Sequence, residues 1–264
     1  MKLGFIGTGN MAGAILSGIC EAGAFPAGEI AAFDIDTAKT RALNEKYGVL
    51  QAESAKWLAA DADVILLGLK PQQAQAALGD IGGLLTEKKT LVSIVTGLSV
   101  SRMQALTAGC GIVRVMPNTP ALCGKGVFVV SDNSDRQVAP VIKDLLGQLG
   151  DVLTLPEALF PAATAVTGSG PAYVFMFLEG MVHAATQMGI EEAVARAMAC
   201  KTLVGAAALA QNSPETLLKL RQNVCSPGGT TIEGVRVLEE SDSVAAISRA
   251  FDAAYRRAEE LEQK

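Results

Sequence analysis

The feature that most constrains the fold is a glycine-containing turn near the start of the chain. Gly7-Thr8-Gly9-Asn10-Met11-Ala12 follows an apolar segment predicted as a strand and precedes a segment with helical periodicity. In such a GxGxxA turn the first glycine permits a tight bend, the second lets a pyrophosphate approach the backbone, and the alanine allows close helix–strand contact. The pyrophosphate then lies on the free N–H groups of the helix N-terminus. Together with a second strand that ends in an acidic residue, the pattern predicts a dinucleotide-binding domain.

The acidic residue is Asp34, at the end of the second predicted strand. A carboxylate there accepts hydrogen bonds from ribose hydroxyls and repels a 2′-phosphate, which favours NADH. Lys39 and Arg41 follow closely and could reach a 2′-phosphate, so NADPH is not excluded. The alternative interpretation is that Asp34 only caps the helix that follows.

Apolar strands alternate with helices through the first 150 residues. The predicted strands are Leu3–Gly7, Ile30–Phe33, Val64–Leu69, Thr90–Val95, Ile112–Met116 and Val127–Val130. The predicted helices lie near Asn10–Glu21, Ala38–Tyr47, Gln72–Leu85, Ser101–Ala108 and Gln137–Leu149. This alternation predicts an α/β domain of Rossmann type over residues 1–155, with a mostly parallel sheet covered on both faces. Such sheets bind ligands outside the carboxyl ends of their strands.

Three loops follow predicted strands and so fall at that carboxyl edge. They are Leu69-Lys70-Pro71-Gln72, Val95-Thr96-Gly97 and the segment 114–120, in which Pro117 and Pro120 flank Asn118-Thr119. The prolines fix the loop and leave polar groups to face a ligand. Each loop alone is as readily a rigid connection, but together they predict the lining of a cofactor and substrate site.

The second part of the chain has a different pattern. No strand is predicted after residue 156, and proline and glycine mark helix starts and stops, so residues 156–264 are predicted to form an all-α domain. Ala172–Met188 is apolar nearly all round, with Glu179 and His183 as its titratable interruptions. A helix of that kind is buried on every side. We therefore predict an intersubunit core, at least a homodimer, and a core or interface position for His183.

Two turns in the helical half combine glycine, proline and hydroxyl residues just before a predicted helix. They are Thr167-Gly168-Ser169-Gly170-Pro171-Ala172-Tyr173 and Ser226-Pro227-Gly228-Gly229-Thr230-Thr231. Backbone N–H groups exposed by such turns can bind a carboxylate at the helix N-terminus. The alternative for either turn alone is simple helix capping.

The composition excludes several classes of function. The net charge of −5 and the lack of a basic stripe argue against nucleic acid. No apolar run approaches the roughly 18 residues of a membrane span. Five scattered cysteines and a single histidine make a metal site improbable. With reduced thiols and no secretory leader before the first strand, we expect a cytoplasmic protein.

Five motifs occur in order along the chain: GTGNM, LGLKPQ, RVMPNTPA, TGSGPAYVF and NVCSPGGTT. In these motifs and their spacing the whole chain resembles the pyrroline-5-carboxylate reductases, and SPGGTT with GSGPAY is the most specific pair. The resemblance implies reduction of 1-pyrroline-5-carboxylate to L-proline, the last step of proline biosynthesis, by hydride transfer from NADPH, with NADH also possible. It further implies a Rossmann domain followed by a helical domain that interlocks with its twin, often in rings of dimers. Active sites would form where one subunit's nucleotide domain faces helices of the dimer.

The resemblance also implies roles for particular residues. The SPGGTT turn would hold the substrate carboxylate through its backbone, the Thr231 hydroxyl would hydrogen-bond the ring nitrogen, and Glu157 matches an acidic position near that nitrogen. The predicted substrate residues are Glu157, Ser226, Gly229, Thr230 and Thr231, with Thr231 catalytic. The predicted cofactor residues are Ile6, Gly7, Thr8, Gly9, Asn10, Met11, Asp34, Leu69, Lys70, Pro71, Thr96, Gly97, Asn118 and Asn223. Asp34 departs from the family, whose members commonly carry small polar residues suited to NADPH there.

The implied reaction suits a chain with one histidine. Hydride moves from the nicotinamide to the imine carbon, and an iminium is electrophilic enough to need no histidine acid–base pair. Two alternatives remain open. A β-hydroxyacid dehydrogenase shares the domain plan and would use a helix lysine such as Lys201, although Thr202-Leu203-Val204 lacks the accompanying asparagines. A non-catalytic nucleotide sensor that dimerises through its helices is the other.

Overall fold

The structure, a computed structural model, describes residues 1–135 and 137–263. The strands are β1 (Leu3–Ile6), β2 (Ile30–Phe33), β3 (Leu50–Gln51), β4 (Val64–Leu67), β5 (Thr90–Ser93), β6 (Gly111–Met116), β7 (Gly126–Ser131) and β8 (Gly150–Leu155). The helices are α1 (Asn10–Glu21), α2 (Thr37–Tyr47), α3 (Ala55–Asp61), α4 (Pro71–Ile81), α5 (Val100–Ala105), α6 (Ala139–Gly147), α7 (Phe160–Ala163), α8 (Gly170–Gln187), α9 (Glu192–Asn212), α10 (Leu217–Val224), α11 (Thr230–Glu240) and α12 (Ser243–Glu262).

The eight strands form one sheet in the order β3-β2-β1-β4-β5-β6-β7-β8. Neighbours pair in parallel except β6 and β7, which are antiparallel. The predicted Rossmann-type domain and its six predicted strands are confirmed. The strands β3 and β8 and the helix α3 are not predicted by the sequence pattern. β3 has only two residues, both exposed, and β8 is a partly exposed strand with polar Asp151 and Thr154.

The core of this domain lies on both faces of the sheet, because successive side chains of a strand point to opposite sides. On β1, Leu3 and Phe5 pack with α1 and α6 in one cluster, while Ile6 packs with α3, α4 and α5 in the other. Gly4 needs its small size here, since a Cβ would lie 2.4 Å from the Leu58 side chain. The buried sheet therefore holds its carboxyl edge as a rigid platform.

The chain divides into two compact units. Unit 1 comprises residues 1–169 and 254–264, and unit 2 comprises residues 170–253. Phe160 and Ala163 are buried against Val129 of β7, so unit 1 extends past residue 156, while the domain boundary at 155/156 stays a prediction. The end of α12 also returns to unit 1, which no local pattern in the sequence indicates.

The segment around Thr167–Tyr173 is helical throughout, which corrects the prediction of a loop before a helix. α7 continues into a π-helical turn at residues 164–169 and then into α8. Pro171 lacks an N–H, and in an α-helix its ring would clash with the Thr167 carbonyl, so the wider turn has a physical reason. π-Helical turns of this kind are frequent at functional sites.

Unit 2 consists of helices whose apolar side chains are largely exposed within the chain. Ala195 and Ala199 are its only buried hydrophobic residues among those described, and His183 is exposed. By length and composition alone, α9 is the one helix among the described residues that is long and apolar enough to cross a membrane, a test that helices of soluble proteins also pass. Contiguous apolar surface of this extent marks an interaction surface rather than the exterior of a monomer.

Candidate cofactor and substrate sites

The glycine-rich turn has the geometry of a phosphate-binding turn. Gly7 adopts a φ of +85°, and its N–H donates to the Phe33 carbonyl at 2.8 Å. A Cβ on Gly7 would lie 2.6 Å from the Leu69 side chain, whereas Gly9 has open space where its Cβ would be. Gly9 is the N-cap of α1 and no side chain caps the helix. The first-turn N–H groups of α1 are thus left for an anionic ligand, which fits a dinucleotide pyrophosphate.

A cavity of about 710 Å³ lies beside this turn in unit 1. It brings together six of the predicted cofactor residues: Ile6, Gly7, Gly9, Asp34, Leu69 and Lys70. Ile35, Ser54 and Lys56 also line the cavity and are not among the predicted residues. Ser54 is a residue type that commonly caps helices, and its hydroxyl caps α3 by accepting a hydrogen bond from the Trp57 N–H. The start of α3 thus lies at the cavity, and this capping pattern is the local sequence feature that points to the segment.

Asp34 lies between the cavity and the glycine-rich turn. Its Oδ2 accepts hydrogen bonds from the Thr8 backbone N–H at 2.7 Å and the Thr8 hydroxyl at 3.1 Å. Its Oδ1 accepts from the Asp36 N–H at 2.9 Å and lies 3.5 Å from Lys39 Nζ. Burial alone would raise the pKa of Asp34, but the hydrogen bonds from Thr8 and Asp36 outweigh it and lower that pKa. The carboxylate therefore fastens the turn to the end of β2.

The alternative that Asp34 caps the following helix is wrong, because a different residue caps it. The N-cap of α2 is Asp36, whose side chain accepts from the Ala38 N–H at 3.2 Å. Asp34 lies two residues earlier, at the end of β2. Its contact with an adenosine ribose remains a prediction, now with most of its acceptor capacity already used by Thr8 and Asp36.

The loops that follow β4 and β5 line a common cavity, whereas the loop after β6 does not. Pro71 is the first residue of α4, and it lines a second cavity of about 180 Å³ together with Thr96 and Gly97. Asn118 is buried, lines neither cavity, and accepts a hydrogen bond through Oδ1 from the Val127 N–H at 2.8 Å. Its side chain thus holds the start of β7 in place, and its cofactor role stays a prediction.

Glu157 takes part in a network within unit 1. Its Oε1 accepts from the Val100 N–H at 2.8 Å and from Arg114 at 2.7 Å, and its Oε2 accepts from Asn133 at 2.7 Å. Burial alone would raise the pKa of Glu157, but these donors outweigh it and lower that pKa. Both oxygens are thus engaged within unit 1, and the contact of Glu157 with a substrate nitrogen stays a prediction.

The SPGGTT turn of unit 2 forms a second uncapped helix start. The Gly229 N–H donates to the Ser226 carbonyl at 3.0 Å, and Gly228 has a φ of +69°. Gly229 is the N-cap of α11 and no side chain caps that helix. Thr231, in its first turn, is half-buried, while Asn223 on α10 is exposed. The turn can bind a carboxylate through the N–H groups of Thr230 and Thr231, whereas the predicted contact through Gly229 competes with its hydrogen bond to Ser226.

Two family descriptions match the chain. Residues 2–97 match "NADP oxidoreductase coenzyme F420-dependent", and residues 157–261 match "Pyrroline-5-carboxylate reductase dimerisation". The sheet order, the glycine-rich turn and its cavity agree with the first match, and the exposed helices of unit 2 agree with the second. The fold and site thus define a nicotinamide-dinucleotide oxidoreductase with a helical dimerisation region.

Full-length relatives specify the family further. Pyrroline-5-carboxylate reductase of Escherichia coli K12 is 37% identical over 98% of both chains, and that of Arabidopsis thaliana is 32% identical over 99% of this chain and 96% of its own. The Coxiella burnetii pyrroline-5-carboxylate reductase structure has a TM-score of 0.88 at 30% identity, covering 100% of this chain and 99% of that one. The chain belongs to the pyrroline-5-carboxylate reductase family.

One further structure bears on the cofactor. The Plasmodium falciparum pyrroline carboxylate reductase, solved with NADP bound, has a TM-score of 0.91 at 28% identity and covers 99% of this chain and 98% of its own. Putative oxidoreductases at 18–20% identity share the fold alone. The resemblance stated from the motifs is confirmed, and the β-hydroxyacid dehydrogenase alternative is set aside by the family membership.

Proposed function

We propose that the protein reduces 1-pyrroline-5-carboxylate to L-proline with hydride from NADPH. The observation that carries the proposal is a match of 32–37% identity along almost the whole chain to reductases of that name. Both anion-binding turns of the chain, GTGNM and SPGGTT, support it, because each precedes a helix that no side chain caps. A non-catalytic sensor would have no need of the second turn.

The cofactor site assigned by this proposal is the cavity beside Gly9. The N–H groups at the start of α1 would hold the pyrophosphate, and Ile6, Leu69 and Lys70 would line the nucleotide. Lys39 and Lys56 line the same cavity as Asp34, and their positive charges favour a 2′-phosphate in it. Because Lys39 lies 3.5 Å from Asp34, it offsets part of the repulsion that the carboxylate exerts. We therefore assign NADPH as the main cofactor and NADH as a second one.

The substrate site assigned by this proposal is the turn before α11. The N–H groups of Thr230 and Thr231 would hold the substrate carboxylate, and the Thr231 hydroxyl would hydrogen-bond the ring nitrogen. When bound, NADPH supplies the hydride that converts the imine carbon to a CH₂, and one proton from water ends on the nitrogen. The protein's contribution is orientation of the imine and exclusion of water, since no side-chain acid is required.

The assembly and location follow from the same proposal. The exposed apolar face of α8 and α9 lies within the matched dimerisation region, so we assign it to a homodimer. Ring assembly of dimers stays a family expectation. We assign the protein to the cytoplasm, a reducing compartment in which its five scattered cysteines would stay as thiols.

The test is an NADPH oxidation assay with purified protein. We expect turnover with pyrroline-5-carboxylate, formation of proline in equal amount to NADP⁺, and none with a panel of 3-hydroxy acids in the reverse direction. Turnover of a 3-hydroxy acid alone would revive the dehydrogenase alternative. Cofactor binding without turnover of either substrate would instead support the nucleotide sensor.

A further inference from the structure

The end of α12 lies against a loop at the carboxyl edge of the sheet. A Cβ on Gly97, in the loop between β5 and α5, would lie 2.7 Å from the Leu261 carbonyl oxygen. Leu261 also lines the small cavity with Pro71 and Thr96. Gly97 itself has a φ of +78°. The last turn of α12 therefore packs so tightly on this loop that only glycine fits beneath it.

A buried arginine tethers that turn. Arg114, on β6, is 3% exposed and makes ion pairs of 2.5 Å to Glu262 on α12 and 2.7 Å to Glu157. Its guanidinium also lies 4.5 Å from the centre of the Phe160 ring. A guanidinium with two carboxylates and an aromatic face has little freedom to move. The position of Glu262 is thus specified by β6.

The same arginine reaches the loop from its other side. Glu157 accepts the Val100 N–H at 2.8 Å with the oxygen that also pairs with Arg114. The loop between β5 and α5 is therefore held at Gly97 by the last turn of α12 and at Val100 by Glu157. Both attachments meet at Arg114, although neither Glu157 nor Glu262 is near Gly97 in sequence.

This loop lies on the second half of the nucleotide fold. The order β3-β2-β1-β4-β5-β6 comprises two mononucleotide-binding halves, with a dinucleotide crossing between β1 and β4. Asp34 ends β2, in the half that takes the adenosine ribose. The loops after β4 and β5 consequently belong to the half that takes the nicotinamide.

We propose that Glu262 is a positioning residue for the cofactor: through Arg114 it holds the last turn of α12 against the loop between β5 and α5 and so shapes the nicotinamide half of the site. The proposal rests on the proposed function for its choice of cofactor. It makes the last turn of α12 part of the reductase site, although Glu262 contacts no reacting atom.

The test is Glu262→Gln, which removes the charge but keeps the length of the side chain. Arg114 retains Glu157, so unit 1 is expected to fold. Glu260→Gln is the matched control, since Glu260 lies on the same helix but pairs with Arg257 at the surface, where both side chains are more than half exposed. NADPH binding is measured by fluorescence titration without substrate, and steady-state kinetics and hydrogen exchange of residues 95–100 are compared.

For Glu262→Gln we expect a rise of about threefold to tenfold in the Kd and KM for NADPH, because Gln keeps a neutral hydrogen bond to Arg114 and only the difference between a charged and a neutral bond is lost. kcat and the KM for pyrroline-5-carboxylate should change less than twofold by the same reasoning. Exchange at residues 95–100 should become faster, and Glu260→Gln should match the parent in every measurement. If Glu262→Gln does not fold, Glu262→Met, which has similar length and no unpaired amide, supplies the same comparison.

A folded Glu262 variant with the parent's NADPH Kd and loop exchange would overturn the proposal. So would equal changes in Glu262→Gln and Glu260→Gln. Failure of the proposed function is a separate result: the parent would then bind NADPH without turning over pyrroline-5-carboxylate, and the Kd comparison would still decide the role of Glu262.

Discussion

The two units of the chain differ in where their apolar side chains lie. In unit 1 alternate residues of the strands are buried on both faces of the sheet, in two clusters. In unit 2 the large apolar side chains are mostly at the surface, among them Val174, Phe175, Met176, Phe177, Met188, Val194, Met198, Val204, Leu209, Leu217 and Leu218. Unit 1 thus has a core of its own, whereas unit 2 needs another surface to bury its helices, as its match to a dimerisation family indicates.

The units also differ in how deeply their ion pairs are buried. One matched pair of arginines allows the effect of this burial on stability to be measured. Arg114 in unit 1 and Arg236 in unit 2 each lie between two glutamates, but Arg114 is buried while Arg236 is 59% exposed. A buried charge that loses its partner is costly, and an exposed pair contributes little. The same interaction therefore contributes differently to the free energy of unfolding in the two units.

The largest effect is expected for Arg114→Met. It leaves Glu157 and Glu262 without their shared cation, so the free energy of unfolding should fall by about 3–5 kcal/mol. Arg236→Met should change it by less than about 1 kcal/mol. Urea denaturation of both variants at equal protein concentration measures the difference. Equal losses would show that burial does not separate the two units.

The next effect concerns self-association through unit 2. Phe175→Glu combined with Phe177→Glu places charge on two sides of α8, so any partner packed on that helix meets at least one of them. We expect the free energy of association to become less favourable by about 2.7 kcal/mol, which is within the range for burying one or two such side chains. This change weakens association about 100-fold. Light scattering at several concentrations measures it.

The control for that experiment is Leu122→Glu, an apolar residue of unit 1 that is 68% exposed. This variant should associate as the parent does. A parent that is a stable and active monomer would contradict the assignment of unit 2 as the interface.

A smaller effect tests the SPGGTT turn as a substrate site. Thr231→Ala removes the hydroxyl assigned to the ring nitrogen, and kcat/KM for pyrroline-5-carboxylate should fall about 10-fold, or about 1.4 kcal/mol, close to one hydrogen bond. Thr231→Ser keeps the hydroxyl and should retain most of the activity. Unchanged kinetics in a folded Thr231→Ala variant would remove this residue from the mechanism.

The smallest effect concerns cofactor choice in unit 1. Asp34→Ser removes a charge near the site of a 2′-phosphate and should shift the kcat/KM ratio toward NADPH by about threefold to tenfold, since such a pair is worth about 1 kcal/mol. It also removes the acceptor for Thr8, so the KM should rise for both cofactors. High salt should reduce the shift in ratio.

Asp36→Asn is the control for Asp34→Ser, because it removes an equal charge two residues later and still caps α2. Its cofactor ratio should equal the parent's. If Asp34→Ser leaves the ratio unchanged but raises both KM values, Asp34 serves the glycine-rich turn alone.

Much of unit 1 could be read from local sequence. Strands with buried apolar residues, separated by helices, indicate a mostly parallel sheet. A GxGxxA turn after the first strand of such a sheet indicates a site for a dinucleotide pyrophosphate. The two unusual turns also stood out, because glycine, proline and hydroxyl residues seldom cluster without a conformational reason. For GSGPAY, however, the prediction of a loop was wrong, because a π-helical turn accommodates Pro171 inside a continuous helix.

Side-chain partners were beyond what the sequence determines. An acidic residue at the end of β2 was evident, but its hydrogen bonds to Thr8 depend on how the turn folds back over the strand. Asn118 looked available for a ligand, and the structure shows its oxygen committed to Val127. Polar groups are satisfied by whichever neighbours the fold brings near, and no local pattern specifies them.

By itself, then, the sequence determined the periodic elements, the glycine-rich turn and the family, since these depend on short-range backbone geometry and on motif order. The tertiary structure alone decided that Arg114 of β6 meets Glu157 and Glu262, although Arg114 and Glu262 are 148 positions apart in the sequence. It also decided that the end of α12 lies over Gly97. Contacts between residues so distant along the chain form only when the whole sheet and its helices have packed, because the loss of chain entropy on closing such loops is offset by the complete core.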